Sequence, residues 1–234
     1  MALGPLTNVA AALSGRPDLR QNVTRLVAVM GHQRGHLFHP SEGKGTNALF
    51  GHGPIFPDFN LSADPTSVSR IIAMRVPLTL IPYDAARATL ITAPDLQNLA
   101  RRVPLHRWVA LTARDWLKFW RNAVGLPGFH HFDWVAAAYL TKPALFDCAA
   151  VDARVTRELT FWVVPRASLV IDGLADGKLG TGSPILYCPQ TDASVHGALM
   201  KPDVGAKPLG YEKGVPAQRR NPLSSCRSAG EGPV

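Results

Sequence analysis

Leu3-Gly4-Pro5-Leu6-Thr7-Asn8, running straight into Val9-Ala10-Ala11-Ala12-Leu13, is the stretch on which the fold turns. Gly-Pro ahead of an apolar run makes a tight strand-to-helix turn. Pro5 suits the first helical turn, where its missing N–H has no partner to lose. The strand feeding the turn is reduced to Met1-Ala2-Leu3. An α/β unit entered at its own turn has the character of the back part of a larger protein.

Outward from this turn, strands and helices alternate. Arg25-Leu26-Val27-Ala28-Val29-Met30 is a short apolar run closed by Gly31, the pattern of a buried parallel strand. From His32 to Pro57 runs a long loop rich in Gly, His and Pro, carrying His32, His36, His39 and His52; such loops are functional or mobile. Asp64-Pro65-Thr66 predicts a helix to Met74, with Asp64 as N-cap and Pro65 in the first position. Val76–Ile81 reads as the next strand, Ala93-Pro94-Asp95 opens a helix to Arg102, and Arg107–Val124 reads as an amphipathic helix. Its aromatic stripe, with Trp116, Phe119 and Trp120, reads as a core face, with a ligand-pocket wall as the alternative. Asp133 heads a further helix, Trp134–Leu140, and Arg157–Ile171 holds two β-rich runs split at Pro165, which predicts an antiparallel pair. The fold class expected is α/β: an open, mostly parallel Rossmann-like sheet with helices on both faces, truncated at its N-terminal side. Residues 1–200 form the expected domain; residues 201–234, with five Pro and five Gly, form an expected disordered tail.

Composition narrows the class. In 234 residues, 46% are apolar, and a mean hydropathy of +0.02 fits a soluble globular chain. No run approaches the roughly 18 apolar residues of a membrane span, and no basic-then-apolar leader opens the chain; the cytoplasm is the expected location. Net charge is +8, but the basic residues are scattered singly and in pairs such as Arg101-Arg102, which fits a solvated surface and no nucleic-acid partner. Cys148, Cys188 and Cys226 have neither metal nor redox spacing, so free thiols are expected and a disulfide framework is not.

Three blocks in order carry a resemblance: Leu3-Gly4-Pro5-Leu6-Thr7-Asn8; Asp58-Phe59-Asn60 followed by Asp64-Pro65; and Asp133-Trp134-Val135-Ala136-Ala137-Ala138-Tyr139-Leu140 with Pro143. Together they resemble the C-terminal two-thirds or so of nucleoside hydrolases of the inosine–uridine-preferring family. The resemblance implies a Ca²⁺-dependent hydrolase of the N-glycosidic bond between ribose and base. The metal orients and acidifies the attacking water, and an oxocarbenium-like sugar is stabilised by nearby oxygens. It implies roles for particular residues. Asp133 matches a calcium-binding aspartate, with a helix N-cap as its plain structural alternative. Leu3 falls where the family offers a backbone carbonyl to the metal. Asp58 and Asn60 match groups that bind ribose hydroxyls; in an extended segment both face one side. Their plain alternative is a polar turn ahead of the helix. His52 falls where relatives contact substrate, and an exposed loop histidine reads equally well there. Phe132 stands where purine-acting relatives have the histidine that protonates the leaving base; it can stack on a base but transfer no proton. The adjacent His130 and His131 are the available substitutes, with His131 the catalytic candidate.

The family's Asp-rich metal loop, Asp-x-Asp-x-x-x-Asp-Asp, has no counterpart, since no two consecutive Asp occur. One carboxylate and one carbonyl make a thin Ca²⁺ site, so the chain alone is expected to be inactive or weakly active. The alternative is a non-catalytic nucleoside- or sugar-binding module, or a subunit completed by another chain. Its partners on these readings are a ribonucleoside and a complementing chain or a second copy.

Overall fold

The computed structural model describes residues 1–33, 58–87, 89–160, 164–173 and 185–200. The chain builds α1 (Thr7–Gly15), β1 (Leu26–Ala28), α2 (Phe59–Ala63), α3 (Pro65–Ala73), β2 (Leu78–Leu80) and α4 (Tyr83–Ala86). It continues through β3 (Ile91–Thr92), α5 (Ala93–Ala100), α6 (Pro104–Phe119), β4 (Gly128–Phe129) and α7 (Phe132–Thr141). It then forms β5 (Phe146–Thr160), β6 (Val164–Gly173), β7 (Ile185–Thr191) and α8 (Ser194–Met200).

The opening turn behaves as its residues dictate. Ala2 bridges Ala28 in parallel, Leu6 is fully buried, and α1 starts at Thr7. The main sheet runs β1-β2-β7-β5-β6: β1, β2 and β7 are parallel, and β5 joins β7 and β6 antiparallel. Side chains alternate across β1, so Leu26 and Ala28 enter one core while Val27 enters the other. The first core packs α1 and α3 through Leu6, Ala10, Val68 and Ile71; the second packs α4, α7 and α8 through Ala85, Val135, Tyr139 and Val195. Helices thus cover both faces, as expected.

Beside the sheet, α5, α6, β3 and β4 enclose a third core around Leu96, Leu99, Trp120 and Phe129. β3 and β4 approach so closely that a Cβ on Gly128 would lie 2.3 Å from the Ile91 carbonyl oxygen, which makes glycine obligatory there.

Asp64 caps α3 as predicted, accepting from the Ser67 N–H at 3.0 Å with Pro65 in the first turn. Four expectations give way. Residues 59–63 are helical, so the segment from Asp58 to Asn60 is not extended. Pro165 does not split the antiparallel pair; it sits inside β6, opposite Leu159, and a missing N–H is tolerated because β6 is the edge strand. Cys148 and Cys188 are joined in a disulfide, against the free-thiol expectation. Strands β5 and β7 lie side by side, and their pairing slips between Asp147 and Ala149; that register brings together two cysteines 40 residues apart. The α6 stripe is only partly core: Trp120 is buried, but Trp108, Trp116 and Phe119 are exposed. His36, His39, His52, Cys226 and the expected tail lie outside the described residues. Among the described residues, no helix is long and apolar enough to cross a membrane.

Candidate functional site

Two parallel strands end side by side and send the chain to opposite faces: β1 leads toward α2 and α3, and β2 leads into α4. Ligands of open α/β sheets bind in the crevice that such a divergence leaves at the carboxyl ends. A cavity of about 160 Å³ lies there. Val29, Met30 and His32 line it from beyond β1, Tyr83 and Asp84 from beyond β2, Asp58, Phe59 and Asn60 from α2, and Phe132 and Asp133 from α7.

Asp58 is held as an N-cap and more. Its Oδ1 accepts from the Leu61 N–H at 3.0 Å. Its Oδ2 accepts from the N–H groups of Gly31 at 2.8 Å and His32 at 3.1 Å. One carboxylate therefore fastens the segment after β1 to the start of α2. Gly31, at a φ of +133°, makes that turn, and its carbonyl accepts from the Tyr187 hydroxyl at 3.1 Å.

Asn60 ties the same corner from the other side. Its Nδ2 donates to the Val29 carbonyl at 2.8 Å and reaches the Leu3 carbonyl at 3.4 Å. The Gly-Pro turn at residue 3 and the Asp58–Asn60 block thus meet, although 57 residues separate Leu3 from Asn60.

Asp133 sits in the first turn of α7, whose N-cap is His131, so it is not the capping residue. Its side chain opens to solvent at the cavity rim, while the protein around it pushes its carboxyl above the usual range by desolvation. Phe132 and Tyr83 form a tilted aromatic pair at 5.6 Å between ring centres. Tyr83 and Asp84 were not picked out as site residues from the sequence. The signal was present: they are the first polar residues beyond the carboxyl end of a buried strand.

The two adjacent histidines go elsewhere. His130 Nδ1 lies 3.0 Å from the Ala86 carbonyl and 2.8 Å from that of Thr89, so this nitrogen carries the proton and donates. Burial pushes the ring below its ordinary range. His131 lines a second cavity, of about 330 Å³, which shares Phe132 and Asp133 with the first. Burial, helped by the neighbouring His196, takes its imidazole down to about 4. It is neutral near pH 7 and has no extra proton to give to a leaving group.

The metal expectation finds a poor donor set. Among the described residues, no group of three His, Cys, Asp or Glu is placed to hold an ion. The Leu3 carbonyl faces an amide donor, and Asp58 is spent largely on backbone N–H groups. Ca²⁺ takes six to eight oxygens; these residues do not fit it.

Comparison with known proteins follows the same outline. Residues 1–178 match the family model of the inosine-uridine preferring nucleoside hydrolases. The chain is 28% identical over 149 residues to the non-specific ribonucleoside hydrolase RihC of Escherichia coli (strain SMS-3-5 / SECEC), covering 62% of this chain and 42% of that one. The chain thus spans about half the length, or less, of the curated relatives it matches. Among solved structures, a plant nucleoside hydrolase, PpNRh1, superposes with a TM-score of 0.64 at 17% identity, over 86% of this chain and 59% of its own. A purine-preferring ribonucleoside hydrolase from Gardnerella vaginalis gives 0.63 at 20%, over 85% and 57%. At such identities these two speak for the fold.

Proposed function

The chain belongs to the inosine-uridine preferring nucleoside hydrolase family, and from that premise we propose that it serves the hydrolysis of ribonucleosides at the N-glycosidic bond. In that reaction water adds its oxygen to C1′ of the ribose, and the base leaves with the proton. The described residues supply the wall that binds the sugar. The observation that carries this reading is the crowding of oxygen acceptors around one small cavity at the strand ends. An ionised carboxylate has about four acceptor positions; Asp58 commits three to backbone N–H groups and keeps one for a hydroxyl. Asn60 commits its amide nitrogen to carbonyls and turns its oxygen to the role of acceptor. Asp133 adds a solvent-facing carboxylate. A ribose, rich in hydroxyl donors, is complementary to this rim, and Phe132 with Tyr83 offers a face on which a base stacks.

The donor set among the described residues does not fit Ca²⁺. The reading for this chain by itself is therefore binding without turnover. The same observation favours, as second reading, a nucleoside-binding module or a subunit completed by another chain.

Calorimetry with inosine and uridine, with and without Ca²⁺, tests both, run beside an assay for released ribose. Saturable heat without ribose release is expected. Absence of heat with both nucleosides removes the binding reading. Ribose release at a rate proportional to chain concentration removes the claim that the chain does not turn over. Asp133→Asn is expected to weaken nucleoside binding about tenfold, the loss of one charge-assisted hydrogen bond.

A further inference from the structure

Helix α6 carries three stripes, and one of them is core. Ala110 and Leu117, seven residues apart, are buried against the neighbouring elements. Leu105, Trp108, Thr112 and Phe119 recur at intervals of three, four and seven residues, so they share another side of the helix. That side is open: Leu105 is 65% exposed, Trp108 64% and Phe119 40%. Thr112 spends its hydroxyl on the Trp108 carbonyl at 3.0 Å, and none of the four lines either cavity. A contiguous apolar surface of this kind marks a contact with something apolar.

The third stripe is cationic. Arg107, Arg114 and Lys118, spaced by seven and four residues, share the remaining side and are all exposed. Arg101 and Arg121 stand just beyond the two ends of the helix, exposed as well. Between residues 101 and 121 the chain has six Arg and Lys against a single carboxylate, Asp115, which Lys118 pairs at 2.9 Å. Among the described residues, Arg101, Arg107, Arg114 and Arg121 make no ion pair with a carboxylate. Basic residues that stand singly along the sequence are thus gathered beside the apolar stripe.

We propose that α6 is a docking face for the surface of an anionic lipid bilayer. A side of Leu, Trp and Phe beside a side of Arg and Lys suits a helix lying in the interface, its rings at the acyl boundary and its cations among the headgroups. Charge complementarity selects this occupant. A second copy of a chain of net charge +8 brings like charges together, whereas anionic headgroups attract each cation. At 16 residues and cationic, α6 lies along such a surface and does not cross it. The proposal is independent of the nucleoside reading.

Sedimentation of the full chain with lipid vesicles tests it. Binding is expected to vesicles of phosphatidylcholine with one-third phosphatidylglycerol. It is expected to be at least tenfold weaker to phosphatidylcholine alone, or in about 0.5 M salt. Trp108→Ser, a change at an exposed position that leaves Tm within about 2 °C, is expected to bind at least tenfold more weakly. Arg107→Gln with Arg114→Gln is expected to lose at least tenfold. Arg154→Gln with Arg157→Gln, which removes the same charge from exposed positions of β5, is expected to change binding less than threefold. In the unsubstituted chain, brominated acyl chains are expected to quench tryptophan emission, a reading that needs no variant. The proposal is overturned by absence of binding to the anionic vesicles, or by Trp108→Ser binding as the parent chain does, which leaves charge alone at work. It is also overturned if light scattering finds a dimer that Trp108→Ser dissolves and anionic vesicles do not, which gives the face to a second copy. Trp108-dependent retention by poly-glutamate as strong as that by vesicles gives it to an acidic protein and overturns the proposal likewise.

Discussion

At the scale of single residues, side chains at the first cavity carry two duties, and this sets what substitution can report. Asp58 caps α2 and also pins Gly31 and His32. Asp58→Ala is expected to cost about 1–2 kcal/mol through the lost cap and the N–H groups left unpaired, read as a fall of roughly 2–8 °C in Tm. Asp58→Asn, which keeps an acceptor, recovers part of it. Asp64 offers a cleaner titration. Hydrogen bonds from the Ser67 and Thr7 hydroxyls and the Ser67 N–H hold its carboxyl down to about 2. A depressed carboxyl stabilises the fold above its unfolded value near 3.8, and that support is lost as pH falls through the folded one. The Tm difference between the parent chain and Asp64→Ala is expected to be constant from pH 5 to 8 and to shrink between pH 4 and 2, as followed by circular dichroism. A difference that grows on acidification contradicts the assignment.

Elements show which rules are local. The start of α3 was legible because Asp-Pro-Thr carries its own cap and its own fixed φ; the turn at Leu3–Asn8 was legible for the same kind of reason. Residues 59–63 were not, because a five-residue helix has too little periodicity to declare itself, and Asp58 reads in the sequence as a candidate ligand or as part of a polar turn, not as the cap of a helix. Strand β7 escaped notice, and with it the partner of Cys148: cross-strand neighbours are set by register, which no spacing of 40 residues encodes. In the site, Asp58, Asn60, Phe132 and Asp133 do line one cavity, while His131 faces another. Adjacent residues entering a helix diverge in direction, and only the backbone decides which goes where. The β3–β4 contact yields a test at this scale. Gly128→Ala is expected to force the strands apart against the Ile91 carbonyl and to cost about 1–3 kcal/mol, as overpacking does, with the loss visible in urea melts.

Taken whole, the molecule is an α/β sheet extended by a hairpin and cross-linked between β5 and β7. The disulfide closes a loop of 40 residues, for which chain-entropy arguments give about 3–4 kcal/mol of stabilisation. Thiol labelling of the denatured chain is expected to find two cysteines protected until reductant is added, and reduction is expected to lower Tm. Such bonds persist in oxidising surroundings and are scarce in glutathione-rich ones, so the pair bears on where the chain is at its most stable. The order β1-β2-β7 has a further consequence, one of time. β2 ends at Leu80, and the strand that covers its far side ends at Thr191. At ribosomal rates of about 5–20 residues per second, roughly 6–22 s pass before that strand has been made. Throughout that interval the nascent chain carries a hydrophobic β-edge with no partner, so its window for chaperone capture, or for aggregation, is written into the strand order.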